Sequence, residues 1–151
     1  MRDLSHRLHP AKLQLIGLVP SLASLQRELS RPDFTIRFSH ENVPAPLPHE
    51  VTLCVYRIVQ EALQNAIRHS AAREVSVSLR RIGNRLALTI ADDGVGFDVN
   101  AAWGKGLGLL SMAERLESVD GSVEIQSLPG AGTRVDVTVP VPSLQERAAA
   151  G

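Results

Sequence analysis

Apolar residues recur along this chain at two periods, and each change of period marks an element. From Lys12 to about Leu29, the residues Leu15, Leu18, Leu22, Leu25 and Leu29 follow a helical spacing and make one apolar stripe. Gly17 and Pro20 interrupt that stripe and predict a break near them. Phe34, Ile36 and Phe38 then alternate with polar neighbours, as a strand with one buried face does. The proline-rich run 44–48 reads as a linker, with Pro48 just ahead of the next helix. Over about 49–69, Val51, Val55, Ile58, Ala62 and Ile67 keep helical spacing, reinforced by Cys54, Val59, Leu63 and Ala66.

Alternation returns in Val75, Val77 and Leu79, then in Leu86, Leu88 and Ile90, with Gly83-Asn84 predicting the hairpin turn between them. Residues 94–106 read as a glycine-containing loop and 107–119 as a helix capped by Gly121. Val123 and Ile125, then Val135, Val137 and Val139, predict a closing hairpin around Pro129-Gly130-Ala131-Gly132. Residues 2–9 read as the end of a helix halted by Pro10, and the tail from Ser143 as disordered. Strands that alternate bury one face and wet the other. The pattern therefore favours an α+β sheet with helices on one side over a doubly wound parallel sheet.

Charge narrows the function. Lys+Arg and Asp+Glu both total 16, so the formal net charge is zero and no long-range field invites nucleic acid or a membrane surface. No stretch approaches the roughly 20 apolar residues that cross a bilayer, so any membrane segment of a longer parent lies outside this chain. The single cysteine, Cys54, rules out an internal disulfide and suits a reducing, cytoplasmic compartment. It falls on the apolar side of the 49–69 helix and reads as a small core residue.

Four short elements carry the chemistry. On the 49–69 helix, Glu61, Asn65, Arg68 and His69 share a face set apart from the apolar stripe. Asn65 offers the neutral, hard oxygen that Mg²⁺ prefers, with water and ATP phosphates completing its shell. Glu61, one turn earlier, can accept a proton or orient an attacking group. Arg68 can meet phosphate charge. The plain alternative for these four is a solvated helix face.

Asp92 continues the series Leu86, Leu88, Ile90, so parity points its carboxylate inward at the end of a strand. An inward acid needs a donor, and the exocyclic amine of adenine is one; Asp93, of opposite parity, faces solvent or caps the turn. Gly94 and Gly96 let backbone approach a base closely, unless the motif is only an Asp-Gly turn. Gly104, Gly106 and Gly108 lead into a helix start whose free amides favour phosphate. Residues 97–105 would then form a lid, on which Lys105 touches phosphate or solvent and Trp103 covers the nucleotide or plugs a hydrophobic gap. Thr133, after Gly130-Ala-Gly132, reaches adenine directly or through water, or is a plain β-branched strand residue. Taken together the four elements describe an ATP site.

Their order and residue types resemble the Bergerat-fold ATPases shared by sensor histidine kinases, DNA gyrase, Hsp90 and MutL. The resemblance is closest to the ATP-binding half of bacterial sensor histidine kinases that pair with NarL-type regulators. It is carried by Tyr56-Arg-Ile-Val-Gln-Glu-Ala-Leu-Gln-Asn-Ala-Ile-Arg-His69, Asp92-Asp-Gly-Val-Gly-Phe97, Gly106-Leu-Gly-Leu-Leu-Ser-Met112 and Gly130-Ala-Gly-Thr-Arg134. It implies a two-layer α/β sandwich with a mixed sheet of about five strands. By motif position, Asn65 would bind magnesium and Glu61 would be the activating acid. Asp92, Gly94, Gly96 and Thr133 would hold adenine, with Arg68, His69, Lys105, Gly106, Leu107 and Gly108 completing the ATP site.

The same resemblance assigns residues 1–30 to the end of a helical dimerisation region and its connecting helix, 31–142 to the ATP-binding domain and 143–151 to a tail. It implies a homodimeric parent that relays phosphate to a response regulator. Kinases of this group phosphorylate a histidine usually followed by an acidic residue. Here Arg7 follows His6 and Pro10 follows His9, so the phosphoacceptor is expected outside this chain. Three other functions use a similar site: an anti-sigma-factor-type serine kinase, an ATP-driven clamp in which Glu61 activates water, and a nucleotide sensor without catalysis.

Overall fold

The computed structural model describes residues 13, 15–44, 47–69, 72–95, 109–127 and 130–141. Five strands form one mixed sheet: β1 (Thr35–Glu41), β2 (Glu74–Ile82), β3 (Arg85–Asp92), β4 (Ser122–Ser127) and β5 (Thr133–Pro140). Their spatial order is β1-β2-β3-β5-β4, with β1 parallel to β2 and every other pair antiparallel. Among the described residues, three named helices accompany them: α1 (Leu18–Leu29), α2 (His49–His69) and α3 (Leu109–Glu117).

The alternation read from sequence becomes the two faces of this sheet. Val75, Val77 and Leu79 of β2, Leu86, Leu88 and Ile90 of β3, and Val135, Val137 and Val139 of β5 are all buried on one side. Their neighbours on the other side are small or charged: Ser76, Arg80, Ala87, Thr89 and Asp136. α2 packs on the apolar side against β2 and β3, with α1 and α3 against its flanks. Because it has neighbours in three directions, α2 buries more than the one stripe its periodicity shows; Thr52, Tyr56 and Gln60 are buried too. Burial of the Tyr56 ring raises its phenol pKa, with Glu28 adding to the effect and Arg57 opposing it.

The break in the first helical stretch falls at Gly17, whose φ of 100° only glycine adopts readily. Pro20 lies inside the first turn of α1, where a missing N–H leaves no intrahelical bond unmade. Leu18, Leu22 and Leu25 are buried and Leu29 half-buried as the stripe predicts, but Leu15 is 87% exposed. The corrected stripe therefore begins at Leu18: the bend at Gly17 breaks the phase on which the place of Leu15 depended. Gln26 Nε2 donates to the Ile36 carbonyl at 2.7 Å and ties α1 to the edge strand β1.

The two turns that close the sheet follow different rules. Ile82 pairs with Arg85 across Gly83-Asn84, and Gly83 has φ 61°, the first-position glycine of a two-residue hairpin. At the end of α3 the left-handed residue is Asp120, φ 57°, rather than the expected Gly121. The Gly121 amide donates to the Leu116 carbonyl at 2.8 Å and the Asp120 amide to Glu117 at 3.3 Å, a Schellman closure. Glycine at 121 meets a packing demand instead, since a Cβ there would lie 2.8 Å from Leu116 Cδ2 and 3.0 Å from the Thr138 carbonyl.

This topology gathers particular residues at one end of the sheet. β1 and β2 run parallel with α2 between them, so α2 must return in the opposite direction, which is the direction of β3. The C-terminal turns of α2 and the C-terminal residue of β3 thus reach the same end, where Val75 pairs with Asp92. β5 starts there and β4 finishes there, with Asp92 paired to Thr133 and Thr133 to Ser127. The loop that follows β3 also leaves from this end.

Candidate functional site

A cavity of about 360 Å³ opens at that end, lined by Ala91, Asp92, Gln126, Ser127, Ala131, Gly132, Thr133 and Arg134. Asp92 is half-buried on its wall. Its Oδ1 accepts the Gly94 amide at 2.8 Å, and the Thr133 amide donates to the same carboxylate. Burial nonetheless pushes the Asp92 pKa above the ordinary aspartate value, with repulsion from Asp93 adding to it. A carboxylate offers about four lone-pair positions, so two backbone donors leave it able to accept from a ligand.

Asp93 faces solvent, as its parity predicts, and works locally. Its Oδ1 accepts the Arg73 amide at 2.8 Å and the Glu74 amide at 3.0 Å, which pins the start of β2. Those bonds, that of Glu74 foremost, hold its pKa below the usual aspartate value. Adjacent acids of one sequence motif are therefore pushed in opposite directions, and the raised one belongs to the residue that lines the cavity.

The glycine turn before β5 forms the other wall. Gly132 has φ 77°, and a Cβ on it would stand 2.5 Å from the Asp92 carbonyl oxygen. The two backbones approach so closely that any side chain would force them apart. The Gly130 amide also donates to the Val95 carbonyl, joining this turn to the segment after Asp92. Ser127 completes the rung: its hydroxyl donates to the Gly132 carbonyl at 2.9 Å and lies 2.8 Å from Thr133 Oγ1.

On α2, Glu61 and Asn65 are half-buried and Arg68 is exposed, so their face of the helix is partly open, unlike the apolar faces. Asn65 Oδ1 is itself shielded from solvent. It is a neutral, hard oxygen, a donor type that suits a magnesium ion already carried by phosphates and water. Among the described residues no group of three or more histidine, cysteine or acidic side chains could hold a metal.

The sheet end thus gathers Asp92, Gly94 and Thr133, and α2 runs to the same end with Asn65 and Arg68 in its last turns and Glu61 one turn above, although none of these three lines the cavity. Gly96, Lys105, Gly106, Leu107 and Gly108 lie outside the described residues, as do Trp103, His6 and His9. The backbone of His69 ends α2, and nothing of its side chain is described. Two features of the site are invisible to motif reading: the contact of Ser127 with Thr133, and the seat of Gly132 on the Asp92 carbonyl. Counting strand pairs back from the glycine turn would have set Ser127 opposite Thr133.

Comparison with known proteins adds four findings. Residues 50–143 match the family model described as histidine kinase-, DNA gyrase B-, and HSP90-like ATPase. The chain is 36% identical over 141 residues to the sensor histidine kinase ComP of Bacillus subtilis (strain 168), covering 91% of itself and 18% of that protein. It is 37% identical over 144 residues to the oxygen sensor histidine kinase NreB of Staphylococcus carnosus (strain TM300), covering 93% of itself and 41% of that protein. The chain therefore spans less than half the length of either relative. Among solved structures, the histidine kinase domain of the Erythrobacter litoralis EL346 blue-light activated histidine kinase has the same fold, with a TM-score of 0.73 at 21% identity. That alignment covers 93% of this chain and 76% of the other.

Proposed function

Since the chain belongs to the histidine kinase-, DNA gyrase B- and HSP90-like ATPase family, we propose that it is the ATP-binding catalytic domain of a sensor histidine kinase. It would pass the γ-phosphoryl of ATP to a histidine elsewhere in a longer, cytoplasmically exposed parent, for relay to a NarL-type response regulator. One observation carries this choice within the family. The family model accounts for residues 50–143, whereas identity to the two sensor kinases of 36–37% runs over 91–93% of the chain. The likeness therefore extends beyond the module that clamps and kinases share.

In this reading Asp92 accepts the exocyclic amine of adenine, with Gly94, Gly96 and Thr133 framing the base. Arg68, His69, Lys105, Gly106, Leu107 and Gly108 meet the phosphates, by charge or by backbone amides. Asn65 holds Mg²⁺, which when bound neutralises phosphate charge. Glu61 takes up or directs the proton of the attacking group. Residues 31–142 form the ATP-binding domain, 1–30 the end of a dimerisation region and its connecting helix, and 143–151 a tail. The parent is a homodimer.

Incubation with γ-labelled Mg-ATP tests the proposal. The kinase reading expects bound nucleotide, slow hydrolysis independent of protein concentration, and no acid-labile label on the chain. Brisk hydrolysis that rises with dimerisation would favour an ATP-driven clamp. Acid-labile label on the chain would contradict the external acceptor and point to His6 or His9.

A further inference from the structure

The nucleotide reading leaves open what makes the cavity select one purine. A carboxylate alone cannot, because adenine and hypoxanthine both present an N–H to it: the exocyclic amine in one, the ring N1–H in the other. The group beside that N–H differs. In hypoxanthine it is a carbonyl oxygen, an acceptor; adenine has a second amine proton, a donor. The second polar group on the wall must therefore be fixed as donor or acceptor for the site to discriminate.

Of the other polar side chains that line the cavity, Gln126, Ser127, Thr133 and Arg134, the one on the strand residue paired with Asp92 is Thr133, and its hydroxyl is the group considered. A threonine hydroxyl can donate or accept, depending on where its proton points. Here a proton count fixes it. Ser127 Oγ lies 2.9 Å from the Gly132 carbonyl oxygen and 2.8 Å from Thr133 Oγ1. The carbonyl has no proton, and two oxygens at that distance with none between them repel. The one proton of Ser127 therefore goes to Gly132. The proton between Ser127 and Thr133 must then come from Thr133, whose hydroxyl turns only lone pairs to the cavity.

Gly132 is held in turn. Its φ of 77° and its close seat on the Asp92 carbonyl fix the plane of the peptide that receives the Ser127 proton. The chain Thr133, Ser127, Gly132 thus runs in one direction and ends on rigid backbone.

Resting on the nucleotide reading above, we infer that Ser127 is a positioning residue that fixes Thr133 as a hydrogen-bond acceptor and so makes the cavity select an amino-purine nucleotide over an oxo-purine one. Ser127 touches no ligand in this account; it acts through Thr133.

Equilibrium titration of the chain with ATP and with inosine triphosphate tests this, alongside Ser127→Ala, Ser127→Thr, Thr133→Val and the double variant Ser127→Ala/Thr133→Val. Wild type is expected to prefer ATP. Ser127→Ala frees the Thr133 proton to point either way, so the preference should shrink by about three- to tenfold, the range of one neutral hydrogen bond. Ser127→Thr restores the hydroxyl and should restore the preference. In the Thr133→Val background, Ser127→Ala should change neither affinity further. Thermal melting of each variant separates these effects from lost folding. If wild type prefers ATP and Ser127→Ala keeps that preference, or if Ser127→Ala acts equally with valine at 133, the inference is overturned and the nucleotide reading stands. If wild type binds neither nucleotide, both fall together.

Discussion

Asp92 shows how one residue can be set against the fold that carries it. Burial raises its pKa, although the Gly94 and Thr133 amides offset part of that rise. For an acid the sign is definite. A folded-state pKa above the unfolded value favours folding below the unfolded pKa, and that contribution is lost as pH rises through the folded value. At neutral pH the ionised side chain is thus a liability to the empty protein. The amine of a bound base would need that same ionised form, so affinity should weaken as pH falls through the raised pKa, above the ordinary aspartate value of 3.8. Asp92→Asn keeps an oxygen for the Gly94 amide and removes the charge. It should melt no lower than wild type without ligand, yet bind ATP about ten- to a hundredfold more weakly, the worth of a hydrogen bond to a charged group. Its affinity should also lose the acid-side pH dependence. A melting curve and a pH series of binding isotherms check the two halves separately.

At the scale of elements, the two glycine turns separate conformational strain from steric contact. Gly83 and Gly132 both have positive φ, but a Cβ at 83 meets nothing within 4 Å, whereas one at 132 strikes the Asp92 carbonyl at 2.5 Å. Gly83→Ala should cost about 1 kcal/mol from the left-handed backbone alone. Gly132→Ala should cost about 2–4 kcal/mol, because strain and overpacking add. Urea midpoints at constant slope give both values; equal losses would mean that the close seat of Gly132 is not a structural demand. The same contrast shows what the sequence makes legible. The hairpin at Gly83-Asn84 and the long helix α2 declare themselves locally, through a dipeptide and through spacing. Asp92 could be placed on the inner face because three apolar residues before it set the parity. Leu15 departs from its stripe because one bend at Gly17 shifts the phase of what precedes it. Glycine is the usual residue at a left-handed helix end, which points to Gly121 from sequence, yet at the end of α3 it is Asp120 that takes this turn. The seat of Gly132 joins strands distant in sequence, so no local pattern reports it, whereas the bond between Thr133 and Ser127 spans only one turn and follows from register, not from any motif.

For the whole molecule, the decisive fact is direction. A parallel β1–β2 pair forces α2 to run with β3, so a helix and a strand with no motif in common finish at the same end of the sheet. β5 begins and β4 ends there, and the cavity opens between them. The opposite end, with the Gly83-Asn84 turn and Asn42, carries none of the candidate residues described. Amide-resolved NMR titration of the chain with Mg-ATP tests this division most directly. The account predicts that shifts concentrate at Asp92–Val95, Gly130–Thr133 and the Glu61–Arg68 turns of α2, leaving Asn42 and Gly83-Asn84 still. Shifts centred on the opposite end, or a titration that moves α2 while Asp92 and Thr133 stay unchanged, would contradict it.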